Sequence, residues 1–187
     1  KLNSQHHTFL SQRFDRSNKG SRVHFASAMT LLQRTDGDDA SQGASYLELA
    51  EFIMRQGAEP TRDLEQLWRR IVFYICVSNV DDHLRNHGFI FQANSGWMLS
   101  PAFDMNPDPL GDGLKLNISE SDNTQDLTLA KEVAPYFRIK DSVAAKIIKD
   151  IVKSVRLWRS EATKLGLSKS AQERMARAFR IADEFKV

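Results

Sequence analysis

The sequence predicts a mainly α, α+β fold: a helical bundle with a small β-hairpin. Apolar residues recur at helical spacing through several long segments. Two β-prone runs, Gly88-Phe89-Ile90-Phe91-Gln92 and Trp97-Met98-Leu99-Ser100, flank the turn residues Ala93-Asn94-Ser95-Gly96, the signature of a hairpin. With 187 residues and 41% hydrophobic content, the chain is long enough for one domain burying roughly 70% of its unfolded surface. It contains no internal repeat, low-complexity tract or linker.

In chain order, Thr8 to Phe14 is a short apolar-rich run that reads as a strand, closed by the turn Asp15-Arg16-Ser17-Asn18-Lys19-Gly20. Val23 to Leu32 reads as helix, and Gln33 to Gly43, rich in Asp and Gly, as an exposed loop. Tyr46, Leu47, Leu49, Ala50, Phe52, Ile53 and Met54 form a helix that Gly57 ends. Pro60-Thr61-Arg62-Asp63 opens the next, in which Leu64, Leu67, Trp68, Ile71, Val72 and Ile75 share one face. From Ile71 to Val77 this helix is apolar on every side, so its C-terminal half belongs in the core.

Residues 106 to 126 form a long loop around Leu114-Lys115-Leu116, and the rest of the chain is helical. Val143, Ile147, Ile148, Ile151, Val152, Val155 and Trp158 line one long amphipathic helix. Ser170-Ala171-Gln172-Glu173 resembles a capping box for the last helix, with Met175, Ala178, Phe179 and Ala182 inward.

Composition excludes several classes. The single Cys76 lies in an apolar run, which rules out a disulfide framework or a thiolate metal site and fits a reducing cytoplasm. No apolar stretch approaches the roughly 20 residues of a membrane span, so a soluble protein is expected. Residues 140 to 187 hold 12 Lys and Arg against 6 Asp and Glu, leaving −4 on the remainder of a chain of net charge +2. Because these charges are interspersed, they read first as the solvated faces of amphipathic helices. Gly-x-Ser-x-Gly, Gly-x-x-x-x-Gly-Lys-Ser/Thr and Gly-x-Gly-x-x-Gly are all absent.

Function concentrates in Asn79-Val80-Asp81-Asp82-His83-Leu84-Arg85-Asn86-His87 and Ser100-Pro101-Ala102-Phe103-Asp104-Met105. A solvated turn would also favour Asp and Asn. However, a second carboxylate delivered by the hairpin to the same place costs repulsion unless a cation or proton offsets it. An Asp, an Asn five residues later and a second Asp beyond a hairpin is the order that protein kinases use for phosphoryl transfer. In that chemistry Asp81 takes the proton of the attacking hydroxyl, while Asn86 and Asp104 hold Mg²⁺ with hard oxygens. Asp82 is the alternative base, but the five-residue step to Asn86 favours Asp81. A zinc site from His83 and His87 with Asp82 or Asp104, or a two-ion phosphohydrolase using Asp81, Asp104 and His83, are weaker readings.

These segments, with Gln12-Arg13-Phe14-Asp15-Arg16 near the start and a helical end containing Trp158, resemble the HipA family, serine/threonine kinase toxins of bacterial toxin–antitoxin modules. The resemblance covers essentially all 187 residues and is to the C-terminal part of such proteins. It implies a protein-kinase-like C-lobe: a 1–16 inter-lobe strand, a 78–104 catalytic loop with hairpin and metal-binding Asp, and C-terminal helices over 127–187.

By motif, Asp81 corresponds to the catalytic base, Asn86 and Asp104 to the Mg²⁺ ligands, and His83 to a residue near the phosphates. Gln12 and Phe14 match the strand where backbone groups meet adenine. The implied cofactors are ATP and Mg²⁺. The implied partners are a protein substrate such as an aminoacyl-tRNA synthetase and a HipB-like DNA-binding antitoxin. The family's phosphate-covering loop, its regulatory serine and its ATP-pairing Lys precede the segment matched by Gln12 to Arg16. The reading therefore expects a C-lobe whose N-lobe lies in a missing part or a separate polypeptide, weakly active or inactive alone. Its alternative is a non-catalytic, kinase-derived binding module.

Overall fold

A computed structural model describes residues 10–186. The fold is α+β: a three-stranded antiparallel sheet beside a helical body. Strand β1 (Phe25–Ser27) pairs with β2 (Gly88–Gln92), and β2 pairs with β3 (Gly96–Leu99), so the spatial order is β1-β2-β3. The helices are α1 (Ala28–Leu31), α2 (Tyr46–Gln56), α3 (Pro60–Val77), α4 (Leu127–Glu132), α5 (Asp141–Val155), α6 (Trp158–Lys164), α7 (Lys169–Met175) and α8 (Arg180–Glu184). None of the described helices is long and apolar enough to cross a membrane.

Helix α3 is the axis of the core. Pro60 at its first turn loses no hydrogen bond, because the first amides of a helix lack partners anyway. Eleven of its 18 residues are buried, and α2, α4, α5 and α8 all pack on it. Full burial of residues such as Leu64, Leu67, Ile71 and Ile75 stabilises the fold by roughly 1.5–3 kcal/mol each. Trp68 is also fully buried and satisfies its indole by donating to the Ala130 carbonyl at 2.8 Å, tying α4 to α3. Cys76 is buried in the same helix, and desolvation pushes its thiol up to about 12, which makes it a packing residue rather than a nucleophile.

Two buried charged residues of α3 fix the hairpin's exit. Asp63 accepts the Leu99 amide at 2.8 Å, and Arg70 donates to the Ser100 carbonyl. Burial raises the Asp63 pKa, opposed by that amide and by nearby Arg62. The turn between β2 and β3 places Asn94 and Gly96 at φ 65° and 110°. At Gly96 a Cβ would also meet the Gln56 carbonyl, so the hairpin packs against the end of α2 only with glycine there.

Several expected elements differ. Val23 to Leu32 is not one helix: β1 adds to the edge of β2, with Phe25 opposite Ile90 and Ser27 opposite Gly88, and only then does α1 begin, capped by the Ser27 side chain. Leu10 to Phe14 form no strand; Asp15 accepts the Val23 amide and Arg16 bridges Arg22, while Thr8 and Phe9 lie outside the described residues.

The long helix through Trp158 stops at Val155. There Arg156 turns to donate to carbonyls of Ala182, Asp183 and Phe185, and α6 starts afresh at Trp158. The following helix is capped by Ser168, whose hydroxyl accepts the Ala171 amide, rather than by Ser170. The 106–126 loop is anchored by buried Leu114, Leu116 and Ile118, and its Asn117 donates its amide to the Ala44 carbonyl at 2.9 Å while its carbonyl accepts the Tyr46 amide at 3.0 Å.

Candidate active site

Helix α3 ends at Ser78, a non-glycine residue in the left-handed region at φ 50°, a conformation that costs roughly 1–2 kcal/mol. Contacts from distant segments hold it: Ser78 Oγ accepts from Arg180 of α8 at 3.3 Å, and its carbonyl accepts the Asp108 amide at 3.0 Å. The chain then turns through Asp81 to His87. Successive turns close by His83 amide to Asp81 carbonyl and Asn86 amide to His83 carbonyl, and α1 clamps the segment as Ala28 and Met29 donate to the carbonyls of His87 and Leu84.

Within this loop the two adjacent carboxylates face opposite ways. Asp81 is exposed, whereas Asp82 is fully buried and accepts from the Tyr46 hydroxyl and contacts His87 Nε2, each at 2.7 Å. Burial, then the Asp82 charge, push the Tyr46 pKa well up, so the phenol keeps its proton and donates it. Asp82 is thus an internal anchor and cannot meet an incoming hydroxyl. His87 is fully buried with it, which removes both from the zinc arrangement considered above. Among the described residues no group of three or more His, Cys, Asp or Glu is placed to hold a metal.

Asp81, Asn86 and Asp104 line one cavity of about 240 Å³, together with Asn79, Asn106 and Met175. The Asn86 side-chain amide donates its Nδ2 to the Asp81 carbonyl at 3.2 Å, which leaves the amide oxygen as the free donor atom for a cation. Asp104 sits at φ 56°, five residues past the hairpin exit that Asp63 and Arg70 fix. Its Oδ1 accepts from Asn106 Nδ2 at 2.7 Å, and the Asn106 amide donates to Asn79 Oδ1 at 3.3 Å. The residues present fit a single hard divalent cation: one carboxylate and one amide oxygen, with space for water and phosphate oxygens.

Gln12 and Phe14 border a separate apolar cavity of about 330 Å³ with Phe25 and Phe103. Phe14 lies 5.8 Å from Phe25 and 5.7 Å from Phe103 between ring centroids. Phe103 is followed directly by Asp104, so one backbone step joins the aromatic cavity to the polar one. His83 lies on the other side of Asp81, half-buried, in a smaller cavity with Asp36, Asp38, Arg85 and Lys115.

Some supports were not legible in advance. Asp63, Arg70, Tyr46 and Arg180 act on the site from other elements, and only folding brings them there. Arg180 also donates to Gln125 at 3.0 Å and, with Arg177, pairs with Asp112, so the C-terminal helices pin the loop that follows Asp104.

The fold is that of a known structure: a chain in the Shewanella oneidensis MR-1 toxin–antitoxin complex of HipA, HipB and operator DNA superposes with a TM-score of 0.72 at 15% identity, over 93% of this chain and 47% of that one. A Haemophilus influenzae protein named "Putative kinase" is 31% identical over 107 residues, 54% of this chain and 31% of the relative. The chain therefore spans less than half the length of either protein. The family model of the HipA-like C-terminal domain matches residues 1–159, most of the sequence, and the chain belongs to that family.

Proposed function

We propose that this chain is the catalytic lobe of a HipA-like serine/threonine protein kinase, which transfers the ATP γ-phosphate to a protein hydroxyl with Mg²⁺. The observation that carries the reading is the shared cavity of Asp81, Asn86 and Asp104, one base and two hard-oxygen ligands supplied by a clamped loop and a fixed hairpin exit. Mg²⁺, when bound, would neutralise phosphate charge. The Asp81 carboxylate accepts the proton of the attacking hydroxyl as its oxygen bonds to the γ-phosphorus and the bond to the bridging oxygen breaks, releasing ADP. The aromatic cavity of Phe14, Phe25 and Phe103 is the adenine slot in this reading, with Gln12 at its edge.

Family members gather phosphate-covering parts from an N-terminal lobe, and the relatives matched here are longer than this chain. Efficient turnover is therefore proposed for the chain completed by such a lobe. The solved neighbour is a complex with HipB and operator DNA, and a HipB-like antitoxin is the partner proposed. Calorimetric titration of the completed protein with ATP tests the metal assignment. Asp104→Asn is expected to remove most of the Mg²⁺ enhancement of ATP affinity; an unchanged Mg²⁺ dependence would refute Asp104 as a ligand.

A further inference from the structure

Helix α3, strands β2 and β3 and helix α5 border a cavity of about 660 Å³ that neither Asp81 nor Asp104 lines. It is larger than the cavity of Asp81, Asn86 and Asp104 and larger than the aromatic one, and it falls within the roughly 300–1,000 Å³ of sites that bury a small molecule. We infer that it binds a small monoanion with an apolar body, an aliphatic or aryl carboxylate.

The apolar part of the inference comes from the walls. Phe73 of α3, Ile90 of β2, Met98 of β3 and Ile151 of α5 are each half-buried around the cavity, and Met105 is 38% exposed at its edge. Apolar side chains from separate elements, partly uncovered around one concavity, favour an apolar occupant. Ser100, Pro101 and Ala102 form another wall, so the occupant touches the segment that carries Asp104.

Charge gives the other half of the ligand. Three guanidinium groups, those of Arg62, Arg69 and Arg70, and one carboxylate, that of Asp63, line the cavity. Arg62 and Arg69 pair with Glu59 and Glu65 at 2.8 and 2.9 Å, partly exposed pairs that contribute little. Arg70 differs: it is only 9% exposed and forms no ion pair among the described residues. Its Nη2 donates to the Ser100 carbonyl, and its Nη1 has no hydrogen-bond partner. Burial lowers the Arg70 pKa, opposed by Tyr74, Asp82 and Asp63. A buried cation without a paired carboxylate is unfavourable, and an anion in the adjoining cavity offsets that penalty. Asp63 sets the limit on charge, because a dianion such as phosphate would be repelled by its carboxylate more strongly than a single negative charge.

The test uses the whole chain and anilinonaphthalene sulfonate, an apolar aryl monoanion whose fluorescence rises on binding, with octanoate, octanol and octylamine as competitors. Octanoate is expected to displace the dye at about tenfold or more lower concentration than octanol, the effect of one charge-assisted hydrogen bond, and octylamine to leave it bound. Arg70→Met should abolish the preference for octanoate over octanol. Because that change also removes the Ser100 contact, Ile151→Trp, which fills the cavity from α5, is measured beside it and should cost most of the dye affinity while the unfolding midpoint stays close to wild type. Four results would each overturn the site: no dye binding, equal competition by octanoate and octanol, full affinity in folded Ile151→Trp, or displacement by ATP, which would put the dye in the aromatic cavity. Loss of dye binding when an N-terminal half is added would also overturn it, and would make the cavity a seat for that half.

Discussion

The carboxylate of Asp82 lies 2.7 Å from His87 Nε2, and both side chains are fully buried between the 81–87 loop and α2. The pair, with Tyr46 as a third member, fastens the loop from within and leaves Asp81 as its outward carboxylate. Removing one partner leaves the other buried and unpaired, so Asp82→Ala should destabilise the fold by about 3–5 kcal/mol. Tyr46→Phe, which deletes one donor, should cost about 1–3 kcal/mol. Urea unfolding curves measure both, and two variants with wild-type midpoints would show that the loop is held some other way.

Asp15 flanks the aromatic cavity and titrates low, at about 2 against an ordinary 3.8. The main cause is the side-chain bond from Arg13, opposed by lost hydration and reinforced by the charges of Arg13 and Arg16. Because the folded pKa is depressed, the stabilisation is present above about pH 4 and disappears as pH falls toward 2. In a carboxylate NMR titration Arg13→Ala should move the Asp15 midpoint up toward its ordinary value. Arg16→Ala should move it less, since Arg16 contributes the smaller effect.

Gly88 lies under the Phe25 ring, where any Cβ would overlap ring atoms that also face Phe14 and Phe103. Gly88→Ala should therefore displace Phe25, cost about 1–3 kcal/mol by overpacking and weaken adenine-nucleotide binding. Parallel measurement of the unfolding midpoint and of ATP affinity checks this. Weakened ATP binding is expected along with the stability loss, and unchanged affinity would remove Phe25 from the proposed nucleotide site.

Local pattern made the helices around Leu49, Leu67 and Ile148 legible, because their apolar spacing is the reason they pack. The hairpin was legible too, from β-prone runs closed by Asn94 and Gly96. It also explained why Asn86 and Asp104 converge on one cavity, since a hairpin returns its two ends together. What escaped was nonlocal. The strand at Phe25 exists because β2 offers an edge, and the break after Val155 exists because Arg156 finds carbonyls on α8. Similarly, Asp81 and Asp82 are neighbours of one residue type, and it takes the fold, which buries Asp82 against His87 and against Tyr46, 36 positions upstream, to decide which turns inward.

The most direct test of the central claim is phosphoryl transfer from radiolabelled ATP to a protein hydroxyl by the chain with its N-terminal lobe supplied, comparing wild type with Asp81→Asn. Asp81→Asn is expected to lose about 10²–10⁴-fold in turnover, the usual contribution of a positioned base, with ATP binding retained. Transfer by Asp81→Asn at the wild-type rate would contradict it.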